Sequence, residues 1–125
     1  MREIKFRAWE EDVEFMNYSV CITTTENKSY YEVSEGFGLI EVNPEHVMQF
    51  TGLKDENSAE IYEGDVIEWL DPFGVTVRSQ VIYDETTASY KTYKGELSHI
   101  SIRPNLKVVG NIYENPELLE KEQTK

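Results

Sequence analysis

Met48-Gln49-Phe50-Thr51-Gly52-Leu53-Lys54-Asp55-Glu56-Asn57-Ser58-Ala59-Glu60-Ile61-Tyr62-Glu63-Gly64-Asp65-Val66-Ile67 packs a turn, an acidic loop and the start of a strand into one run. Asp55 to Ser58 reads as a solvated turn, because Asp, Asn and Ser side chains bond nearby backbone groups and tolerate tight geometry. Glu63-Gly64-Asp65 reads as a second turn. Val66 to Leu70, which follows it, has the β-branched and aromatic residues of a strand. A Gly-Asp step into an apolar strand is common in small SH3-like barrels, so the expected fold is all-β and mainly antiparallel. The expected form is an SH3-like or partly open barrel with extra hairpins.

Outward from this run the pattern stays β-rich. Ile4, Phe6 and Ala8 alternate with Lys5, Arg7 and Trp9, the period of a strand with one buried face, which sends Lys5 and Arg7 to water. Glu10-Glu11-Asp12 is a polar turn from which Val13 to Ile22 returns as a hairpin partner. Tyr30 to Val33 and Phe37 to Val42, joined through Ser34-Glu35-Gly36, suggest a second hairpin, and Pro44 then interrupts pairing. Val47 to Phe50 reads as a short strand or a turn of helix. Asp71-Pro72-Phe73-Gly74 is a turn, with Pro early and Gly late. It precedes a strand over Val75 to Tyr83 in which Val75, Val77, Ser79, Val81 and Tyr83 share a face. Tyr90 to Tyr93, Leu97 to Ile102 and Leu106 to Ile112 complete the strands. Asn115 is placed to cap a short C-terminal helix that begins at Pro116 and docks through Leu118 and Leu119. A single domain over 1–119 is expected, with residues 120–125 as a frayed tail.

The run from Met48 to Asp55 and the run from Glu60 to Ile67 resemble the core signature of the YopX family of phage and prophage proteins. Met1 to Trp9 is similar to that family's opening, and Val108 to Leu119 to its closing segment, so the likeness spans the chain. The resemblance implies a β-dominated fold and a phage or prophage origin, and it carries over no catalytic residue and no cofactor. Its signature positions here are Gly52, Asp55, Tyr62, Glu63, Gly64 and Asp65. One departure is Ser58, where relatives often carry Gly after Asn, which weakens the case for a primed hairpin turn at Asn57-Ser58.

Composition bounds the partners. The 125 residues suffice for one core and are too few to divide comfortably into two domains. With 39% hydrophobic and 29% charged residues the chain belongs to the globular class. A lone Cys21 forms no internal disulfide, and no apolar run approaches the roughly 20 residues that span a bilayer, so the cytoplasm of a bacterial host is the expected compartment. Residues 1–50 carry 4 basic and 10 acidic side chains and residues 51–125 carry 8 and 14, so each stretch is −6 and the whole −12. Nucleic-acid affinity rests on clustered Lys and Arg against phosphate, which disfavours direct DNA or RNA binding, and anionic membrane is disfavoured likewise. The acidity reads first as solubility and second as imitation of a phosphate backbone that would occupy a DNA-binding host protein.

Catalytic groups are sparse. His46 and His99 are far apart in sequence, and a lone histidine needs a positioned partner to act as a catalyst. Cys21, between Val20 and Ile22, reads as a small buried hydrophobe. Glu60, Glu63 and Asp65 come closest to a carboxylate site, and a small metal-dependent hydrolase is the enzymatic alternative, although loop solvation explains the same residues. No metal or other cofactor is expected. Tyr30, Tyr31, Tyr90 and Tyr93 fall at strand or edge positions, where rings either cover the core or face a partner. The preferred reading is a non-enzymatic protein-interaction module with a protein partner, self-association through sheet edges being one form of it.

Overall fold

The computed structural model describes residues 3–36 and 38–119, with the side chain of Glu35 left out; the expected frayed tail at 120–125 lies outside them. Two compact units divide the chain, Glu3–Gln49 and Phe50–Lys125, and each is described by itself. Every strand pairing among the described residues is antiparallel, and the fold class is mainly β as the sequence implies.

In the first unit β1 (Phe6–Glu10) is flanked by β2 (Phe15–Asn17) and by the start of a later strand. β1 buries Arg7, Ala8 and Trp9 in succession, so both of its faces are covered there and the expectation that Arg7 faces water fails. Its guanidinium Nη1 donates to the Tyr18 hydroxyl at 3.5 Å. β3 (Val20–Thr24), β4 (Ser29–Glu35) and β5 (Gly38–Glu41) form a three-stranded sheet in that order, with Gly36 in the turn as expected and Ser34 and Glu35 still in β4. Val33, in the middle strand, is fully buried. A 3-10 helix, Pro44–His46, follows, with the Asn43 side chain accepting the Glu45 amide at 3.0 Å. β6 (Val47–Lys54) then runs across the unit boundary as one strand, settling the strand-or-helix ambiguity at Val47 to Phe50.

The second unit opens with the signature. β6 pairs with β7 (Glu60–Tyr62) at Phe50 and at Lys54, and between those points Thr51-Gly52-Leu53 bulge opposite Ile61 alone. Gly52 takes φ +89° there, and the Thr51 hydroxyl replaces the broken ladder by donating to the Ile61 carbonyl at 2.7 Å and accepting the Leu53 amide at 3.2 Å. β8 (Asp65–Leu70) lies between β9 (Thr76–Gln80) and the final strand. The expected strand over Val75 to Tyr83 is broken at Val81, whose amide donates to the Asp65 carbonyl at 2.8 Å. Beyond that bend β10 (Ile82–Asp84) pairs with β11 (Ser89–Thr92), which pairs with β12 (Gly95–Glu96). Val75 and Tyr83 are exposed, while Ser79 and Val81 are fully buried, so only the middle of the expected face is a core face.

Leu97 to Ile102 is the clearest correction. It forms a helical turn, α1 (Leu97–Ile100), because the two side chains that reach the core are three residues apart, which fits a helix face and not a strand's alternation. Leu97 and Ile100 join Ile61, Ile67, Trp69, Val81 and Leu106 in one apolar cluster. β13 (Lys107–Asn111) returns beside β8 with a bulge between Val108 and Gly110. The C-terminal helix is a 3-10 turn, Pro116–Leu119, with Leu119 buried. The Asn115 side chain does not cap it as expected; its Oδ1 reaches back to accept the Asn111 amide at 3.2 Å.

Asp55-Glu56-Asn57-Ser58-Ala59 and Asp71-Pro72-Phe73-Gly74-Val75 are the same hairpin loop built twice. In each, the aspartate amide donates to the carbonyl four residues on at 2.9 Å, and one carboxylate oxygen accepts the amides two and four residues ahead at 2.8–2.9 Å. The left-handed position is Ser58 (φ +66°) in the first and Gly74 (φ +77°) in the second, so the loop is a type I turn with a left-handed fourth residue and not a primed turn. Exchanging these residues is therefore expected to have opposite signs. Ser58→Gly stabilises the fold and Gly74→Ser destabilises it, each by about 0.5–1 kcal/mol in chemical denaturation; changes of the same sign would refute the equivalence. Asp55 has a further role, since its other oxygen accepts the Val108 amide at 3.0 Å. Asp55→Asn presents an NH2 to that amide or to the loop amides, and equilibrium unfolding should record a loss of about 1.5–3 kcal/mol. At Gly110 a Cβ would lie 2.5 Å from Asn115 Oδ1. Gly110→Ala is expected to cost about 1–3 kcal/mol, and less when combined with Asn115→Ala, a coupling that a double-mutant cycle measures.

Candidate functional site

Of the signature carboxylates, Asp65 turns toward the backbone. Asp65 is 2% exposed, and its Oδ2 accepts the Tyr62 amide at 2.7 Å. Glu60 Oε1 accepts the Tyr62 hydroxyl at 3.4 Å. Glu63 and Gly64 form the turn between β7 and β8, where the Gly64 amide donates to Val81 and the Gly64 carbonyl accepts the Ile112 amide, both at 2.9 Å. The turn is thus stitched to the strands on either side. Among the described residues no three His, Cys, Asp or Glu side chains converge as a metal ion would require. His46 ends the 3-10 helix of the first unit and His99 lies in α1 of the second. Cys21 is exposed, contrary to expectation, because the strand's alternation puts Val20 and Ile22 on the side of β4's Val33 and turns Cys21 to the other side.

The four tyrosines divide between the units. Tyr30 and Tyr31 are neighbours on β4 and so project to opposite faces. Lys28 Nζ sits 4.7 Å above the Tyr30 ring, while Tyr31 is half-buried opposite Ile22. Tyr90, in β11, meets Tyr83 edge-on at 5.2 Å and packs against the core of the second unit. Tyr93 stands in the following turn, 63% exposed, its amide donating to the Ser79 hydroxyl at 3.0 Å. Tyr90 thus supports the core, and Tyr93 and Tyr30 face solvent.

Two grooves were not foreseen from the sequence. In the first unit a groove of about 380 Å³ lies between the β1–β2 turn and β5. Its apolar lining includes Trp9, Val13, Ile40 and Val42, and its carboxylates are Glu10, Glu11, Asp12 and Glu41. The legible signal was an acidic run directly after a tryptophan, which reads equally as a solvated turn. In the second unit a groove of about 400 Å³ is lined by Trp69, Val77 and Ile100 with charges of both signs, Asp71 and Glu96 against Lys94 and Arg103. Arg103 is partly engaged, its Nε donating to the Leu70 carbonyl at 3.0 Å. Elsewhere in that unit Lys91, 2.7 Å from Asp84, and the Thr86 hydroxyl and amide hold the Asp84 carboxyl well below the usual carboxylate range. Asp84 in turn raises Lys91. Among the described residues no helix is long and apolar enough to cross a membrane.

Comparison with known proteins agrees with this architecture. The chain is similar to protein EF1440 from Enterococcus faecalis, whose crystal structure superposes with a TM-score of 0.62 at 27% sequence identity, covering 96% of this chain and 100% of that one. No curated protein matches. Residues 5–120 match the family described as YopX protein, a stretch that contains the bulge at Gly52, the Asp55 loop and the Glu63-Gly64-Asp65 turn, and the chain therefore belongs to the YopX family.

Proposed function

We propose that this chain is a phage- or prophage-encoded accessory protein that acts by binding another protein and not by catalysis. The observation that carries this reading is the distribution of side chains in the first unit. Val13, Phe15 and Tyr18 are exposed in and around β2, the outer strand of one sheet, and Leu39 and Ile40 on β5, the outer strand of another. Apolar and aromatic side chains left to water around an open sheet are the raw material of interfaces. Asp65, one of the three carboxylates that an enzymatic reading would need, accepts a backbone amide, and Asp55 beside them accepts three, which supports a structural role for these two aspartates. Family membership and the sequence resemblance support the phage or prophage setting.

Affinity capture of the tagged chain from a nuclease-treated bacterial lysate, at low and high salt, tests the reading. The expected result is a specific protein retained at high salt, since burial of apolar side chains is little weakened by ions. Recovery confined to DNA-binding proteins that salt releases would replace this reading with imitation of nucleic acid. Recovery of nothing beyond an untagged control would overturn both.

A further inference from the structure

β5 ends its sheet, and the pairing geometry shows which of its groups point outward. The Val42 amide donates to the Tyr31 carbonyl at 2.8 Å, and Ile40 stands opposite Val33 in the same ladder. In an antiparallel ladder the inward-bonding residues alternate, so the backbone groups of Leu39 and Glu41 project along the outer edge. Every residue of β5 is exposed, Ile40 by 52%. The groove of the first unit is lined on one side by Ile40 and Glu41 of this strand and by Val42 just after it. Its apolar lining includes the buried Trp9 and Val13, which is 64% exposed, and its carboxylates come from both banks, Glu10, Glu11 and Asp12 on one and Glu41 on the other.

We infer that β5 and this groove dock an extended basic segment of a partner protein, which adds to the sheet as a further strand, places an apolar side chain against Trp9, Val13 and Ile40, and sets Lys or Arg beside the carboxylates. The inference rests on the protein-binding reading above and names the chemistry of the partner. Strand addition supplies backbone hydrogen bonds without sequence preference, and alternate side chains supply the choice. A volume of about 380 Å³ is at the small end of ligand pockets, roughly 300–1,000 Å³, so it holds one or two anchoring side chains and not a folded surface. Charge selects among the possible occupants. A second copy of the chain would bring another acidic bank against this one, and nucleic acid would be repelled by it. An alternating basic and apolar segment meets both requirements at once.

Three labelled eight-residue peptides test this on the full chain by fluorescence anisotropy: one alternating Arg with Val, one alternating Glu with Val, one alternating Arg with Ser. The expected result is that the first binds at least about tenfold more tightly than either other. Ile40→Asp removes that preference, and Glu11→Lys combined with Glu41→Lys, both at exposed positions, removes its salt sensitivity. Hydrogen exchange by NMR with the first peptide bound should slow at the Leu39 and Glu41 amides and stay unchanged at Ile40 and Val42, which already face β4. No binding, equal binding of the three peptides, indifference to the variants, or absence of protection at Leu39 and Glu41 would each overturn the docking site. If the docking site fails in this way while lysate capture still retains a protein that Ile40→Asp does not release, the protein-binding reading stands on another surface. Peptide binding without any captured protein would mean the reverse.

Discussion

The Asp55 carboxylate is the tie on which the second unit depends. One oxygen closes the loop after β6 by accepting the Asn57 and Ala59 amides, and the other accepts the amide of Val108, 53 residues further along. A neighbouring backbone bond, from the Glu56 amide to the Leu106 carbonyl, doubles that link. The local turn and the long-range return of the chain thus share one side chain, and β13 is held at the place where it can pair with β8. The same device recurs where only local order is needed. Asp71 fixes its own hairpin, Asp84 accepts the Thr86 amide, and Asn111 accepts the amides of Tyr113 and Glu114. Side-chain oxygens that satisfy backbone donors let short strands turn sharply without leaving unpaired amides.

The signature run made the fold class legible because turns announce themselves through a few residue types. Asp55 to Ser58, Glu63 to Asp65 and Asp71 to Gly74 all turn where the sequence places them. Strand faces were legible only where a strand has one buried side. β1 buries three residues in a row and so is covered on both faces, and that burial of Arg7 is not announced by alternation. Leu97 to Ile100 misleads for a different reason: four residues with two apolar positions fit a strand run in sequence, and only the location of the Ile61–Ile67 cluster selects the helical turn.

The groove was hidden by the same limit. Glu10-Glu11-Asp12 and Ile40-Glu41-Val42 are each unremarkable in isolation, and it is the packing of the first unit that sets an acidic turn opposite an apolar strand. Asp55 and Asp65, which do stand out in sequence, are carboxylates that the fold uses internally. Both aspartates accept backbone amides, while the less conspicuous Glu11, Asp12 and Glu41 line the open groove.

The exposed edge of β5 also bears on how the molecule behaves in concentrated solution. An uncovered strand is a template on which identical chains can stack, and proteins commonly guard such edges with charge. Here the guard is the surrounding acidity, which at neutral pH keeps like molecules apart. As the pH approaches the isoelectric point near 4.5 that repulsion vanishes while the strand edge and its apolar neighbours stay in place. Mild acid therefore favours edge-to-edge aggregation of the folded protein, a loss of colloidal stability distinct from unfolding.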